Sequence, residues 1–302
     1  MEFIDQIDLH FSEMSLDIMN LTLAFIMFGV ALDLRLEDFK RLLKMPKFIL
    51  VGLTSQLIIL PLFTVLLVNI IQPHPSIALG MFMIAVCPGG NVSNFMSSLA
   101  GGNVALSVSM TAVVTVSSII LTPLNFTLWA GTYAPAAEIL ETIELDFWSM
   151  AQTVLLILGV PTILGMLFAE RYPEITEKIK NPLKKLSIVI FGAYVAMAFA
   201  SNFDNFLKFV KYVIVPVGIH NISALILGFY FAKLMGLKTK ERRTVSIETG
   251  IQNSGLALIL IFNFFDGLGG MALVAGWWSI QHLTSGTLLA LFWSKRPVPS
   301  SE

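Results

Sequence analysis

The sequence predicts an all-α, polytopic membrane protein with nine transmembrane helices. Hydrophobic residues make up 56% of the 302 positions and charged residues 13%, and the mean hydropathy is +0.80. Soluble domains carry about twice that share of charge. The apolar residues are also grouped into nine runs, each about long enough to cross the hydrocarbon core of a bilayer. These observations indicate that lipid rather than water surrounds most of the chain.

Seven of the nine predicted spans are uninterrupted apolar stretches, which we expect to form single helices. The third and the eighth contain glycine- and amide-rich interruptions, which we expect to break each of them into two half-helices. In chain order the spans cover residues 15–34, 48–71, 76–100, 104–130, 147–169, 186–202, 209–235, 244–264 and 269–294.

The positions of the basic residues predict the orientation of the spans. With nine crossings, every lysine and arginine except Lys208 and Lys211 falls on the same side of the bilayer. Basic residues concentrate in cytoplasmic loops, so the N-terminus is expected outside and residues 295–302 are expected to form a cytoplasmic tail. We expect a multi-pass protein of the bacterial inner membrane.

Charge and cysteine content argue against several other classes of protein. The formal net charge is −1 and the basic residues are explained by topology, so no nucleic-acid partner is indicated. The single cysteine, Cys87, excludes an intramolecular disulfide, and no paired thiols suggest a metal site. Residues 1–14 have apolar side chains at helical spacing and lack the basic start of a signal peptide, which predicts an amphipathic helix on the outer interface.

The spans fall into two related sets of opposite orientation. Residues 15–130 hold the first set of four, and residues 147–294 hold five, of which the first is an extra helix. In both sets the third of the four matching spans carries the interruption. Inverted repeats with corresponding broken helices are a recurring plan of secondary transporters, in which the binding site lies where the repeats meet.

The two interruptions give the strongest indication of function. The third span contains Cys-Pro-Gly-Gly-Asn-Val-Ser-Asn over 87–94, and the eighth contains Glu-Thr-Gly-Ile-Gln-Asn over 248–253. A charge at membrane depth costs roughly 2.5 to 3.5 kcal/mol on insertion scales, so Glu248 indicates an ion or substrate pathway. Freed carbonyl, amide, hydroxyl and carboxylate oxygens suit a hard cation such as Na⁺. A helix that restarts after each break offers N–H groups to a carboxylate.

The same motifs resemble those of the bile acid:sodium symporter family. The resemblance runs over essentially the whole chain and is carried by residues 87–94 and 242–253. Gln56 ahead of a proline, and Ser107 and Thr111 in the following span, add to it. Nine spans with an outside N-terminus make the chain similar to a prokaryotic-type homologue built like the vertebrate liver carrier of bile acids.

The resemblance implies two sodium ions, bound at neighbouring sites, and a substrate with a carboxylate group. The implied ligands of the first sodium site are Ser93, Asn94, Ser107, Thr111 and Glu248. Those of the second site are Gln56, Glu248, Thr249, Ile251 and Gln252, with backbone oxygens at Thr249 and Ile251. The candidates for the substrate carboxylate are Asn91, Val92, Asn253 and His282.

The resemblance also implies a mechanism, namely alternating access in which a core of six spans moves against a panel formed by the first, fifth and sixth. The implied function is sodium-coupled symport of an organic anion. The substrate stays open among bile acid-like steroid acids, pantoate-like acids, small hydroxy or keto acids and amino acids. No cofactor other than Na⁺, and no obligate protein partner, is indicated.

Four other functions compete with sodium symport. An arsenite efflux carrier of the same superfamily would use a membrane cysteine and glutamate, for which Cys87 and Glu248 are available. A proton-coupled carrier usually needs an intramembrane Asp pair or Asp–Lys pair, and none is evident. An intramembrane enzyme needs a nucleophile–base or metal constellation, and the four scattered histidines form none. A receptor or scaffold would leave the two interruptions unexplained.

Overall fold

Helices make up nearly all of the described chain. The computed structural model describes residues 4–5, 13–35, 37–39, 44–90, 92–143, 145–201, 207–296 and 298. Within them we number twelve α-helices: α1 Glu13–Ala31, α2 Pro46–Ile71, α3 Pro75–Val86, α4 Val92–Leu99, α5 Val104–Ala130, α6 Ala134–Ile143, α7 Phe147–Arg171, α8 Pro173–Ser201, α9 Lys211–Leu234, α10 Thr239–Gly250, α11 Ser254–Phe264 and α12 Gly269–Ser294.

The predicted all-α fold is confirmed, and four helices (α2, α5, α7 and α9) are long and apolar enough to cross a membrane. The count of nine spans stays a prediction. Two elements differ from what the sequence suggested. Helix α6 was not expected at all, and α8 begins at Pro173, well ahead of the predicted span at 186–202. Its first two turns are polar, so hydropathy alone could not reveal them.

The N-terminal helix predicted for residues 1–14 lies mostly outside the described residues. Within that segment, Ile4 is buried in the main hydrophobic cluster. The Asp5 carboxylate lies 3.5 Å from His74 Nδ1 and also accepts a hydrogen bond from the backbone N–H of Gly270. The segment therefore contacts the N-terminal ends of α3 and α12.

Side-chain caps and prolines fix where several helices begin. Asn103, Asp146 and Asn253 each precede a helix and accept a hydrogen bond from the backbone N–H three residues on, at 3.1, 2.7 and 3.0 Å respectively. Such caps satisfy donors that a helix start leaves unpaired. Pro46 and Pro75 stand at the first positions of α2 and α3, where a missing N–H costs nothing.

Two helices widen locally into a π-helical turn just before a proline. In α2 this turn spans Ser55–Ile59 and precedes Pro61, and in α7 it spans Leu155–Gly159 and precedes Pro161. Proline removes a backbone donor and clashes with the carbonyl four residues earlier, so the helix must loosen there. The turn in α2 buries the polar side chains of Ser55 and Gln56 inside the protein.

The helices pack in two groups. The first group consists of α1, α7 and α8, which pack on one another. In the second group, α9 packs along α10, and α12 packs on α3, α4, α9 and α11. The two groups meet where α5 contacts α7 and where α1 contacts α11. A large apolar cluster that includes Phe82, Phe126 and Trp278 fills the interior.

Candidate functional site

Two unwound segments cross each other in the middle of the second group. Helix α3 ends at Val86 and α4 begins at Val92, while α10 ends at Gly250 and α11 begins at Ser254. Between these ends Gly89 and Gln252 form an isolated antiparallel β-bridge. The breaks lie within the two motifs identified from the sequence.

Backbone hydrogen bonds hold the crossing together. The Gly90 N–H donates to the Ile251 carbonyl at 3.2 Å, and the Asn253 N–H donates to the Pro88 carbonyl at 2.8 Å. Polar backbone groups exposed in the middle of a membrane protein need partners that lipid cannot supply. Each broken segment thus supplies hydrogen-bond partners for backbone groups of the other. Helices α4 and α11 both begin beside this crossing.

The Glu248 carboxylate lies next to this crossing and is completely buried. Ser93 Oγ donates to Glu248 Oε1 at 2.7 Å, and Ser107 Oγ makes a short hydrogen bond to the same oxygen. Thr111 Oγ1 lies 3.3 Å from Glu248 Oε2. Among the described residues, no lysine, arginine or histidine forms an ion pair with this carboxylate. Its contacts are therefore neutral hydroxyl groups.

Each of these three hydroxyl groups also reaches a second acceptor. Ser93 Oγ is 2.6 Å from the Gly90 carbonyl oxygen. Ser107 Oγ and Thr111 Oγ1 are 2.8 and 3.3 Å from Asn94 Oδ1. A hydroxyl has one proton, so it can donate to only one acceptor at a time. The Gly90 carbonyl also accepts from the Ser93 N–H at 2.9 Å. The carboxylate and the Asn94 oxygen together still have more lone pairs than the three hydroxyl groups have protons, and the cluster brings together all five residues predicted for the first sodium site.

A second polar cluster lies on the other side of the crossing. Gln56 Nε2 donates to Gln252 Oε1 at 3.2 Å, and Gln252 Nε2 donates to the Thr249 carbonyl at 2.9 Å. Gln56 Oε1 is buried and has no hydrogen-bond partner among the described residues. Ser55 Oγ lies 2.7 Å from Thr249 Oγ1, which itself donates to the Val245 carbonyl. The residues predicted for the second sodium site are thus also neighbours.

Gly89 separates the two clusters. A β-carbon on this residue would lie 3.0 Å from Gln56 Nε2, 3.1 Å from Glu248 Oε2 and 3.6 Å from the Ile251 carbonyl oxygen. The absence of a side chain at this position lets groups of both clusters approach the same point. Glu248 is consequently adjacent to both sets of oxygens.

The predicted substrate residues are placed less uniformly. Asn91 lies outside the described residues. Val92 is 41% exposed at the first position of α4, and Asn253 is half-buried at the start of α11, where its side chain caps the helix. His282 is buried in α12 and packs edge-on against Trp278, and none of its described hydrogen bonds joins it to the crossing. The geometry therefore brings Val92 and Asn253 to the two helix starts, whereas His282 has no described hydrogen bond there.

Sequence reasoning missed two polar residues that support the crossing. Asn221 Nδ2 donates to the Gly250 carbonyl at 2.8 Å, and Ser285 Oγ makes a short hydrogen bond to Asn221 Oδ1. The available signal was a buried amide inside an apolar helix, which in a membrane protein requires a partner.

Arg243 belongs to the motif at 242–253 and lies at the other end of α10. Its guanidinium contacts the carbonyls of Ala100, Trp293 and Arg296, at the C-terminal ends of α4 and α12.

Cys87 directly follows the last residue of α3 and is completely buried, within the main apolar cluster. The described residues contain no group of three or more His, Cys, Asp or Glu side chains arranged to hold a metal ion.

The chain is similar to known transporters. Residues 20–209 match the model of the sodium bile acid symporter family. An uncharacterized sodium-dependent transporter of Bacillus subtilis, YocS, is 33% identical over 91% of this chain and 82% of its own length. Two chloroplastic proteins described as probable sodium/metabolite cotransporters are each 29% identical: BASS2 of Oryza sativa over 95% of this chain and BASS1 of Arabidopsis thaliana over 90%. The chain spans 66% of the length of each plant protein.

Proposed function

This chain belongs to the sodium bile acid symporter family, and we propose that it moves an organic anion together with Na⁺ into the cell. Members of this family are sodium-coupled membrane transporters rather than enzymes.

The excess of acceptor lone pairs over hydroxyl protons around Glu248 is the observation that carries the proposal. Three hydroxyl protons face the Glu248 carboxylate, the Asn94 side-chain oxygen and the Gly90 carbonyl, in a buried region. An unpaired carboxylate is expensive to bury. A small hard cation would neutralise it and would be coordinated by the oxygens that retain free lone pairs. We therefore assign the first sodium site to Ser93, Asn94, Ser107, Thr111 and Glu248.

A second sodium ion is proposed at the neighbouring cluster. Gln56 Oε1 is buried without a partner, and Gln252 Oε1 and the backbone oxygens of Thr249 and Ile251 lie close by. Two Na⁺ entering with one monovalent anion move one net positive charge inward. At about 100 mV this contributes roughly 2.3 kcal/mol, or about 50-fold accumulation, before the sodium gradient is counted.

The substrate is proposed to be a carboxylate bound at the starts of α4 and α11. Helix N-termini offer unpaired N–H groups and a positive dipole end to an anion. Asn91, the Val92 amide and Asn253 are the candidates for binding it, with His282 a weaker one. Small metabolites are favoured over bile acids as substrates because the plant relatives carry sodium/metabolite cotransporter in their names.

We further propose nine spans, an inverted repeat and alternating access. Counting α3 with α4 and α10 with α11 as single broken spans, and leaving α6 outside the bilayer, gives nine crossings. The packing of α1, α7 and α8 on one another supports a panel, against which the remaining spans form a core. The distribution of basic residues supports an outside N-terminus and a cytoplasmic C-terminus, in a protein that we propose lies in the inner membrane of a bacterium.

The test is the thermal unfolding midpoint of purified protein in NaCl and in choline chloride at equal ionic strength. A ligand that binds only the folded state stabilises it, by about 2.7 kcal/mol at 100 times its dissociation constant. We expect a sodium-specific rise that Glu248→Gln abolishes. Glu241→Gln is the matched control, since Glu241 lies two turns earlier on α10 and binds Asn103. Equal midpoints in both salts would contradict sodium coupling and favour a proton-coupled or arsenite carrier.

A further inference from the structure

Helix α10 ends against a buried asparagine of α9 that belongs to neither proposed ion site. Asn221 is completely buried, and its Nδ2 donates to the carbonyl of Gly250, the last residue of α10, at 2.8 Å. The last carbonyls of a helix have no partner within the helix. In a membrane protein such a carbonyl must be satisfied by another part of the chain or by a bound ligand. Here Asn221 supplies the partner.

Ser285 of α12 holds the other end of the Asn221 amide. Its hydroxyl makes a short hydrogen bond to Asn221 Oδ1 and also lies 2.9 Å from the Gln281 carbonyl oxygen. The Gly250 carbonyl can only accept, so the amide NH₂ faces it, and the contact with Ser285 restrains the amide in that orientation. Residues of α9 and α12 therefore both support the bond to Gly250.

The two last turns of α10 also lie in close contact with α9. A β-carbon on Gly250 would lie 2.3 Å from Leu225 Cδ2, and one on Gly228 would lie 2.8 Å from the Val245 carbonyl oxygen. Ser246 Oγ donates to the Leu225 carbonyl at 2.6 Å. Interiors packed this closely do not deform gradually. These contacts stabilise the packing of α10 on α9, whereas the bond from Asn221 holds the last peptide group of α10.

The residues on either side of Gly250 supply backbone oxygens to the proposed second sodium site. The Thr249 carbonyl accepts from Gln252 Nε2, and the Ile251 carbonyl accepts from the Gly90 N–H. The Gly250 carbonyl between them is directed to α9 instead. The bond from Asn221 holds the Gly250 peptide group in place, and this restrains the directions of the Thr249 and Ile251 carbonyls on either side of it.

We propose that Asn221, oriented by Ser285, is a positioning residue that sets the sodium affinity of the second site. It would act through the Gly250 peptide group without contacting the ion. This inference rests on the proposed function. A positioning role predicts weaker sodium binding in variants that fold, whereas a purely structural role predicts lower stability with unchanged sodium binding.

Asn221→Leu, Ser285→Ala and Ser246→Ala separate these two roles. The first replaces the amide with an apolar side chain of similar shape. The second keeps Asn221 but frees its amide to turn. The third is the matched control, because it removes a buried α9–α10 hydrogen bond one turn before the break. The unfolding midpoint of each purified variant would be titrated with NaCl at constant ionic strength.

We expect Asn221→Leu to raise the half-saturating NaCl concentration about tenfold, the effect of losing one well-placed hydrogen bond. Ser285→Ala should change it in the same direction by a smaller factor, and so tests the proposal even if Asn221→Leu does not fold. Ser246→Ala should lower the midpoint in choline and leave the half-saturating concentration unchanged. Unchanged sodium affinity in both Asn221→Leu and Ser285→Ala would overturn this inference alone. If the unfolding midpoint of the wild-type protein does not rise in NaCl, the proposed function is overturned together with this inference.

Discussion

The backbones of Gly89 and Gln252 pair across the point where the two broken helices cross. This pairing places Gly89, which has no side chain, between Gln56 of α2 and Glu248 of α10. Residues from separate helices thereby approach one point that only a glycine leaves open. The relationship makes the crossing sensitive to changes of a single methyl group.

Gly89→Ala should weaken sodium binding at both proposed sites. Its β-carbon would lie 3.0 Å from Gln56 Nε2 and 3.1 Å from Glu248 Oε2, closer than ordinary carbon contacts. Gly90→Ala is the control, because among the described residues its β-carbon would meet only the Gln252 carbonyl oxygen, at 3.8 Å. Sodium-dependent uptake should fall at least about tenfold in the first variant, while the second stays near wild type. Equal sodium-dependent uptake by the two variants would show that sodium binding does not need the space beside Gly89.

Ser107→Ala should reduce sodium affinity because it removes a hydroxyl shared by Glu248 and Asn94. Ser109→Ala, two residues along the same helix, removes a buried hydroxyl that has no described partner and should bind sodium as the wild type does. The half-saturating sodium concentration for uptake would be compared in both. A rise of several-fold is expected for Ser107→Ala alone, and a similar rise in both variants would argue for a general disturbance of α5.

Asn253→Ala should weaken substrate binding more than sodium binding. The side chain caps α11 beside the crossing, so its loss also disturbs the helix start offered to a carboxylate. Asn103→Ala removes a cap of the same geometry at the start of α5 and should cost about 1 kcal/mol of stability. Binding of a panel of carboxylates in sodium buffer would be measured by calorimetry. Unchanged affinity in both Asn253→Ala and Asn91→Ala would remove these two residues from the substrate site.

Arg243→Lys should lower the unfolding midpoint in sodium and in choline alike. The guanidinium donates to carbonyls at the C-terminal ends of α4 and α12 and lies over the Trp293 ring at 5.7 Å. A lysine cannot reproduce this forked geometry, and each hydrogen bond from a charged group contributes roughly 1.5 to 3 kcal/mol. Arg242→Lys, next to it on the chain, is the control. The idea fails if both variants unfold at the same temperature.

Much of the helical plan could be predicted from the sequence, because hydropathy and proline or glycine interruptions act locally. The span expected at 104–130 is the observed α5, and the breaks lie at the Pro-Gly-Gly and Thr-Gly motifs. The segment at α6 was not predicted because its ten residues are too short and mixed to stand out. Local patterns describe the path of the chain well.

The residues of neighbouring helices that support the crossing could not be predicted in the same way. Asn221 and Ser285 lie on helices far apart in sequence, and their partner is a backbone carbonyl that carries no sequence signal. Ser55 was hidden for a different reason. Its burial against Thr249 depends on the π-helical turn ahead of Pro61, which changes the face that α2 presents.

At the proposed first sodium site, the three hydroxyl groups around Glu248 can adjust to an ion by rotating their O–H bonds, without movement of the helices. Turning an O–H bond toward its second acceptor displaces no heavy atom. Ser93, Ser107 and Thr111 each have such a second acceptor within hydrogen-bond distance. The pocket can therefore reverse its local dipoles when a cation enters or leaves. Dehydration of the ion and opening of its path, not rearrangement of the ligands, would then set the rate of exchange.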